Sequence, residues 1–196
     1  MNARATMIAG AVASLFSLAA TAQTTGSEVQ RDVNQQQRIE QGLQSGSLNT
    51  REASKLEADQ SRINRMQSNA EKDGKLSPAE KARIQRAQNQ ESRDINRLES
   101  NAAKGNPNSA SSQRMQADVQ RNINQQQRIE QGVKSGQLTN REVGKLENGQ
   151  AKVDRAEARA GADGHVGKRE QQNIQNAENQ QSKRIYKQKH DAQTRR

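Results

Sequence analysis

The twelve-residue stretch Asn69–Glu80 concentrates side chains that could bind a cation. It carries the carboxylates of Glu71, Asp73 and Glu80, with two lysines between them. Oxygen-bearing side chains of this kind are the ligands that hard divalent cations prefer in proteins. This stretch is therefore the leading candidate for chemistry in the sequence.

The same stretch contains a glycine turn that recurs at three other places. Each stretch reads Gly, any residue, Leu or Val, three further residues and Glu, and the four are Gly46–Glu52, Gly74–Glu80, Gly136–Glu142 and Gly164–Glu170. Glycine adopts the left-handed backbone of a tight turn, and the aliphatic residue can anchor the loop. Capping boxes at Ser77–Glu80 and Thr139–Glu142, and a near match at Asn49–Glu52, indicate that a helix follows. The pattern predicts four helix-loop-helix joints.

The stretch Asn69–Glu80 resembles the calcium loop of the EF-hand family. That family has oxygen ligands at positions 1, 3, 5, 7, 9 and 12 and a glycine at position 6, here Gly74. The resemblance implies calcium ligands from the side chains of Asn69, Glu71, Asp73, Ser77 and Glu80 and from the carbonyl of Lys75. The family places aspartate first, where this chain has asparagine, so the implied affinity is weak, about 10⁻⁴–10⁻³ M.

The other three joints keep the glycine, the aliphatic residue and the glutamate but lack the residues that could act as calcium ligands. Leu43 and Val133 stand at position 3, and Arg159 at position 1, where none can coordinate calcium. Turn, anchor and helix cap also explain the glycine, the aliphatic residue and the glutamate without any metal. Two interpretations of Asn69–Glu80 therefore stay open: a calcium-binding loop, and a capped turn that binds no metal.

An internal duplication organises the chain. The sequence Asn34–Gly42 recurs unchanged at Asn124–Gly132, and the offset of 90 residues holds without a gap as far as Ile95 and Ile185. We place copy 1 at 28–103, a linker at 104–117 and copy 2 at 118–193. Two joints in each copy predict three helices per copy.

Composition favours an all-α fold. Mean hydropathy is −1.23, and good helix formers dominate the chain. Narrow apolar stripes, such as Leu56, Ile63 and Ala70, recur at helical spacing. We predict two tandem three-helix units built from EF-hand-like joints, with helices near 28–44, 50–71, 78–103, 118–134, 140–161 and 168–192. Lys104–Gln113 has no apolar residue except alanine. We therefore expect little core to cross between the copies and each copy to fold separately.

The first 22 residues indicate a signal peptide. Arg4 precedes the apolar run Ala5–Ala19, and Ala20-Thr21-Ala22 matches a cleavage site before Gln23. The run is shorter than the roughly 20 residues of a membrane helix. We expect a periplasmic or secreted protein with no membrane span in the mature form.

The sequence offers no catalytic constellation. His165 and His190 are its two histidines, and neither has a second histidine or a cysteine at ligand spacing. No nucleophile motif accompanies them. We therefore expect a non-catalytic binding or interaction protein rather than an enzyme, with calcium as its cofactor or none.

The formal net charge of +10 leaves two alternative functions open. A basic C-terminal segment can bind anionic envelope polymers by counterion release, whereas the export signal and the scarcity of aromatic residues disfavour nucleic acid. Leu138–Glu142 approaches the LTxxQ motif of the Spy-type periplasmic chaperones, which bind client proteins, but misses its last residue. The repeated frame also resembles small secreted proteobacterial proteins that generally lack an assigned activity. Calcium dependence would favour the calcium-binding protein, suppression of aggregation the chaperone, and a steep salt dependence the binder of anionic polymers.

Overall fold

The computed structural model describes the backbone of residues 16–192 and the side chains of residues 25–192. This part of the chain forms six α-helices and no strand: α1 (Phe16–Ser45), α2 (Thr50–Ala70), α3 (Pro78–Glu99), α4 (Ala110–Lys134), α5 (Asn140–Ala160) and α6 (Lys168–Lys189). The predicted all-α class is confirmed. None of these helices is both long and apolar enough to cross a bilayer. The predicted signal peptide 1–22 lies outside the described residues, except that 16–22 begin α1.

The four predicted joints are present. Their glycines have positive φ, at Gly46 (74°), Gly74 (86°), Gly136 (74°) and Gly164 (90°). Asn49, Ser77 and Thr139 cap the following helices, each in a complete capping box. At the fourth joint, the Glu170 carboxylate accepts the Gly167 N–H at 2.7 Å. Local turn and cap chemistry therefore sets these boundaries.

The predicted linker is partly helical. Helix α4 begins at Ala110, because the Ser109 hydroxyl accepts the Ser112 N–H at 3.1 Å and caps the first turn. Met115, which the predicted linker included, is fully buried. The shorter remaining linker docks on the first joint, where the Gly105 N–H donates to the Gly46 carbonyl at 2.9 Å.

The two copies share one core, so the expectation that little core crosses between them is wrong. The most extensive helix contacts join α2 to α5 and α1 to α4, both between copies. Equivalent positions meet: Ser61 donates to the Ala151 carbonyl at 2.7 Å, as expected for a two-fold relation. One apolar cluster unites residues of both copies, among them Ile39, Leu43, Leu56, Ile95, Val119, Ile123 and Ile174. Each copy's apolar stripe is narrow, and the other copy covers it.

Separation of the copies is expected to unfold them. Fragments 28–103 and 118–193, expressed alone, expose faces that the intact chain buries between α2 and α5. We expect each to lose most of its helical circular dichroism or to self-associate, and an equimolar mixture to regain helix. Two fragments that stay monomeric by ultracentrifugation and fully helical when alone would contradict the shared core.

Candidate metal centre

The predicted loop Asn69–Glu80 uses its carboxylates as caps and packing groups. Asp73 accepts the Lys75 N–H at 2.9 Å, and Glu80 accepts the Ser77 N–H at 3.0 Å and the Ser77 hydroxyl at 2.6 Å. Glu71 is buried against α5, where a Cβ built on Gly144 would lie 3.1 Å from the Glu71 Cβ. The other predicted ligands are exposed or half-buried: Asn69, Asp73, Lys75, Ser77 and Glu80. Calcium binding at this loop stays a prediction.

A polar layer lies buried where α2 faces α5. Helix α2 contributes one stripe at spacings of three and four residues, and α5 contributes its counterpart: Glu57, Gln60, Asn64, Gln67 and Glu71, with Glu147, Gln150, Asp154 and Glu157. Of the chain's 22 acidic residues, 13 are buried. No lysine or arginine among side chains 25–192 is buried. The interior is therefore acidic and the surface basic.

Three carboxylates of this layer form a compact group. Glu57 on α2 and Asp154 and Glu157 on α5 each place an oxygen within 4.8 Å of the other two. Their exposed fractions are 0%, 1% and 0%. Since ionised carboxylates repel one another in a buried setting, this group needs a positive partner or bound protons.

Neutral amides contact all three carboxylates. Gln36 donates to Glu57 at 2.9 Å, and Asn64 donates to Asp154 at 2.7 Å. Asn122 donates to Glu157 at 2.7 Å. These bonds orient the carboxylates from α1, α2 and α4, but they add no positive charge.

Several buried oxygens around the group lack a hydrogen-bond partner. They include Oε1 of Glu57, Oε1 of Glu157, Oδ1 of Asn64 and Oδ1 of Asn122. The two asparagines are 1% and 0% exposed, and their amide nitrogens already bond to the group. Oxygens of this type are acceptors, so a hydrogen-bond donor, such as a protonated carboxyl group or a water molecule, or a metal ion would satisfy them.

The pKa values of the group are raised. Burial raises the pKa of Glu57 to about 7, and the Asp118 carboxylate adds to the shift. Burial, followed by the charge of Glu57, raises the pKa values of Asp154 and Glu157 well above the usual carboxyl range. The neighbouring charges that act on these three groups are carboxylates, which stabilise the protonated form.

The corresponding positions of the other copy carry fewer acids. Glu57, Asp154 and Glu157 correspond to Glu147, Asn64 and Gln67, so two carboxylates are replaced by amides. Gln126 donates to Glu147 at 3.2 Å, as Gln36 does to Glu57. The bond between the equivalent pairs Asp32–Gln67 and Asn122–Glu157 has its amide and its carboxylate exchanged. Gln67 donates to Asp32 at 2.6 Å, whereas Asn122 donates to Glu157. The three-carboxylate group therefore belongs to one side of the bundle.

The spacing of the three oxygens suits calcium. An ion equidistant from three oxygens 4.8 Å apart lies about 2.8 Å from each, and closer when they are closer, which approaches the Ca–O distance of about 2.3–2.6 Å. Magnesium binds at about 2.0–2.1 Å and usually keeps several of its waters, so a set of ligands supplied by the protein alone favours calcium. Zinc sites usually include histidine or cysteine, and His165 and His190 are exposed.

The candidate centre lies outside the loop that the sequence singled out. Its residues were missed because acid and amide residues at helical spacing are usually read as a solvated face. The available signal was the absence of Lys and Arg from the stripe Glu57, Gln60, Asn64 and Gln67. Comparisons with protein-family models, curated proteins and solved structures found no match, so function is argued from this geometry.

Proposed function

We propose that the protein is an exported, non-catalytic binding protein that holds one calcium ion at Glu57, Asp154 and Glu157. The observation that supports this function is the buried group of three carboxylates whose oxygens lie within 4.8 Å of one another. The amide oxygens of Asn64 and Asn122 supply two further acceptors beside it.

Calcium and protons compete for the same atoms. One shared proton can join Glu57 to Glu157, which lie within hydrogen-bonding reach of each other. It leaves Asp154 and the two amide oxygens without a positive partner. A divalent ion neutralises two carboxylates at once, and both carboxylate and amide oxygens can coordinate it. Its binding releases the protons that these carboxyl groups hold in its absence.

Calcium at this position ties the two copies together. Glu57 belongs to α2 of copy 1, and Asp154 and Glu157 belong to α5 of copy 2. These helices form the most extensive contact in the bundle. Binding therefore stabilises the shared fold, as expected when a metal binds the folded state alone.

Equilibrium dialysis of the mature chain 23–196 against calcium tests the function. The protein is unfolded in chelator to remove bound calcium and is then refolded during dialysis against calcium at pH 7.5, because a buried site fills as the chain folds. We expect one calcium per chain, its loss in Glu57→Gln, and its retention in Glu147→Gln, the same change at the corresponding position. The glutamine introduced in Glu57→Gln keeps an oxygen that can accept the bond from Gln36.

Glu80→Gln separates the buried centre from the predicted loop. We expect this variant to retain the calcium of the buried centre. Loss of all binding in Glu80→Gln, equal loss in Glu57→Gln and Glu147→Gln, or no calcium on the wild type would each overturn the proposed function.

A further inference from the structure

Helices α2 and α5 each carry a stripe of basic side chains on the surface. On α2 and the turn that follows it, the exposed members are Arg51, Lys55, Arg62, Arg65 and Lys72. On α5 they are Arg141, Lys145, Lys152 and Arg159, with Arg155 partly buried. Spacings of three, four and seven residues place each set along one face of its helix.

The two stripes form one surface, which we name the α2/α5 cationic face. The helices pack side by side, and their acidic stripes both point inward, toward Gln36 of α1 and Asn122 of α4. Their basic stripes therefore lie together on the opposite, outer side. Lys72, Arg141 and Lys145, from both helices, line a single surface pocket.

The positive charge of this face is largely uncompensated. Arg62 forms an ion pair with Asp59 at 2.8 Å. The other acids at the centre of the same helices, Glu57, Glu147, Asp154 and Glu157, are buried beneath the face.

We propose that the α2/α5 cationic face binds an acidic polysaccharide of the cell envelope. Each stripe extends along about 21 residues of helix, which is about 32 Å at 1.5 Å per residue, so the face suits a linear polymer better than a single small anion. The side chains between the cations are small or polar: Ala58, Asn69, Asn148 and Ala162. The face therefore lacks aromatic platforms for nucleic-acid bases and apolar residues for insertion into a membrane.

The binding of alginate oligosaccharides, measured at several salt concentrations, tests this proposal. The face variant combines Lys55→Gln, Arg65→Gln, Lys145→Gln and Arg155→Gln, which are two pairs of equivalent positions. The matched control removes four exposed arginines from α3: Arg83→Gln, Arg86→Gln, Arg93→Gln and Arg97→Gln. Circular dichroism verifies that both variants remain folded.

We expect the face variant to bind alginate about tenfold more weakly at low salt and to show a shallower salt dependence, because fewer counterions are released. The α3 control should stay within about threefold of the wild type, and neutral dextran should not bind. Equal losses in both variants, or no alginate binding by the wild type, would overturn the proposal. Preferential binding of duplex DNA or of anionic phospholipid vesicles at equal charge concentration would also overturn it.

Discussion

The double variant Asp154→Asn, Glu157→Gln is expected to melt at the same temperature with and without calcium, whereas the wild type gains stability. At calcium one hundred times the dissociation constant, a single site adds about 2.7 kcal/mol. For a chain of this size, that corresponds to a rise in Tm of about 5–10 °C. The double variant removes two of the three carboxylates, so its rise should be below about 1 °C. Differential scanning calorimetry at pH 7.5, in calcium and in chelator, measures both.

This double variant reproduces residues that the chain already uses at the corresponding positions, Asn64 and Gln67. The two introduced amides keep oxygens that can accept the bonds from Asn64 and Asn122. Glu147→Gln is the matched control and should keep the calcium-dependent rise. A full rise in the double variant would place the calcium elsewhere.

Without divalent cations, stability is expected to fall as the pH rises from about 4 to neutral. Burial raises the pKa of Asp32 to about 7 and of Glu91 to about 9. A group with a raised pKa binds more protons in the folded state than in the unfolded state. Its stabilisation is complete below the unfolded pKa, about 4, and is lost as the pH rises through the folded pKa. Urea denaturation in chelator at a series of pH values measures the trend.

Glu91→Gln isolates one part of this dependence. Burial and the nearby carboxylates of Asp59, Glu57 and Asp94 raise the pKa of Glu91, against the smaller opposing effect of Arg62. Because Glu91 stays protonated in the folded state, it lowers the free energy of unfolding by about 3 kcal/mol between pH 4.5 and pH 7. The glutamine should remove about that much of the pH-dependent loss, and the corresponding residue of copy 2 is already Gln181.

Stability that rises between pH 4.5 and pH 7 in chelator would contradict the assignment of the buried carboxyl groups.

The helices and their joints could be predicted because their signals are local. Gly74 adopts the positive φ that its turn requires, and Ser77, Pro78 and Glu80 start α3 through contacts within four residues. The N-cap at Ser109 is a local signal of the same kind and could have predicted the start of α4. It was overlooked because the surrounding residues have the composition of a linker.

The shared core and the candidate centre could not be predicted, because both depend on contacts between copies. Glu57 and Asp154 are far apart in sequence and meet only through the packing of α2 on α5. The three carboxylates of Asn69–Glu80 read as a ligand set, yet Glu71 is buried against α5 while Asp73 and Glu80 bond to the loop backbone. The overlooked signal was the separation of residue types on α2, where acids and amides occupy one stripe of the helix and cations occupy another.

The position of bound calcium tests the central claim most directly. Crystals of residues 23–196 grown with calcium, measured at a long X-ray wavelength, give anomalous density at the ion. We predict one peak among Glu57, Asp154 and Glu157, about 2.3–2.6 Å from an oxygen of each. A peak only in the loop Asn69–Glu80, or no peak and carboxyl groups bonded to one another through protons, would contradict it.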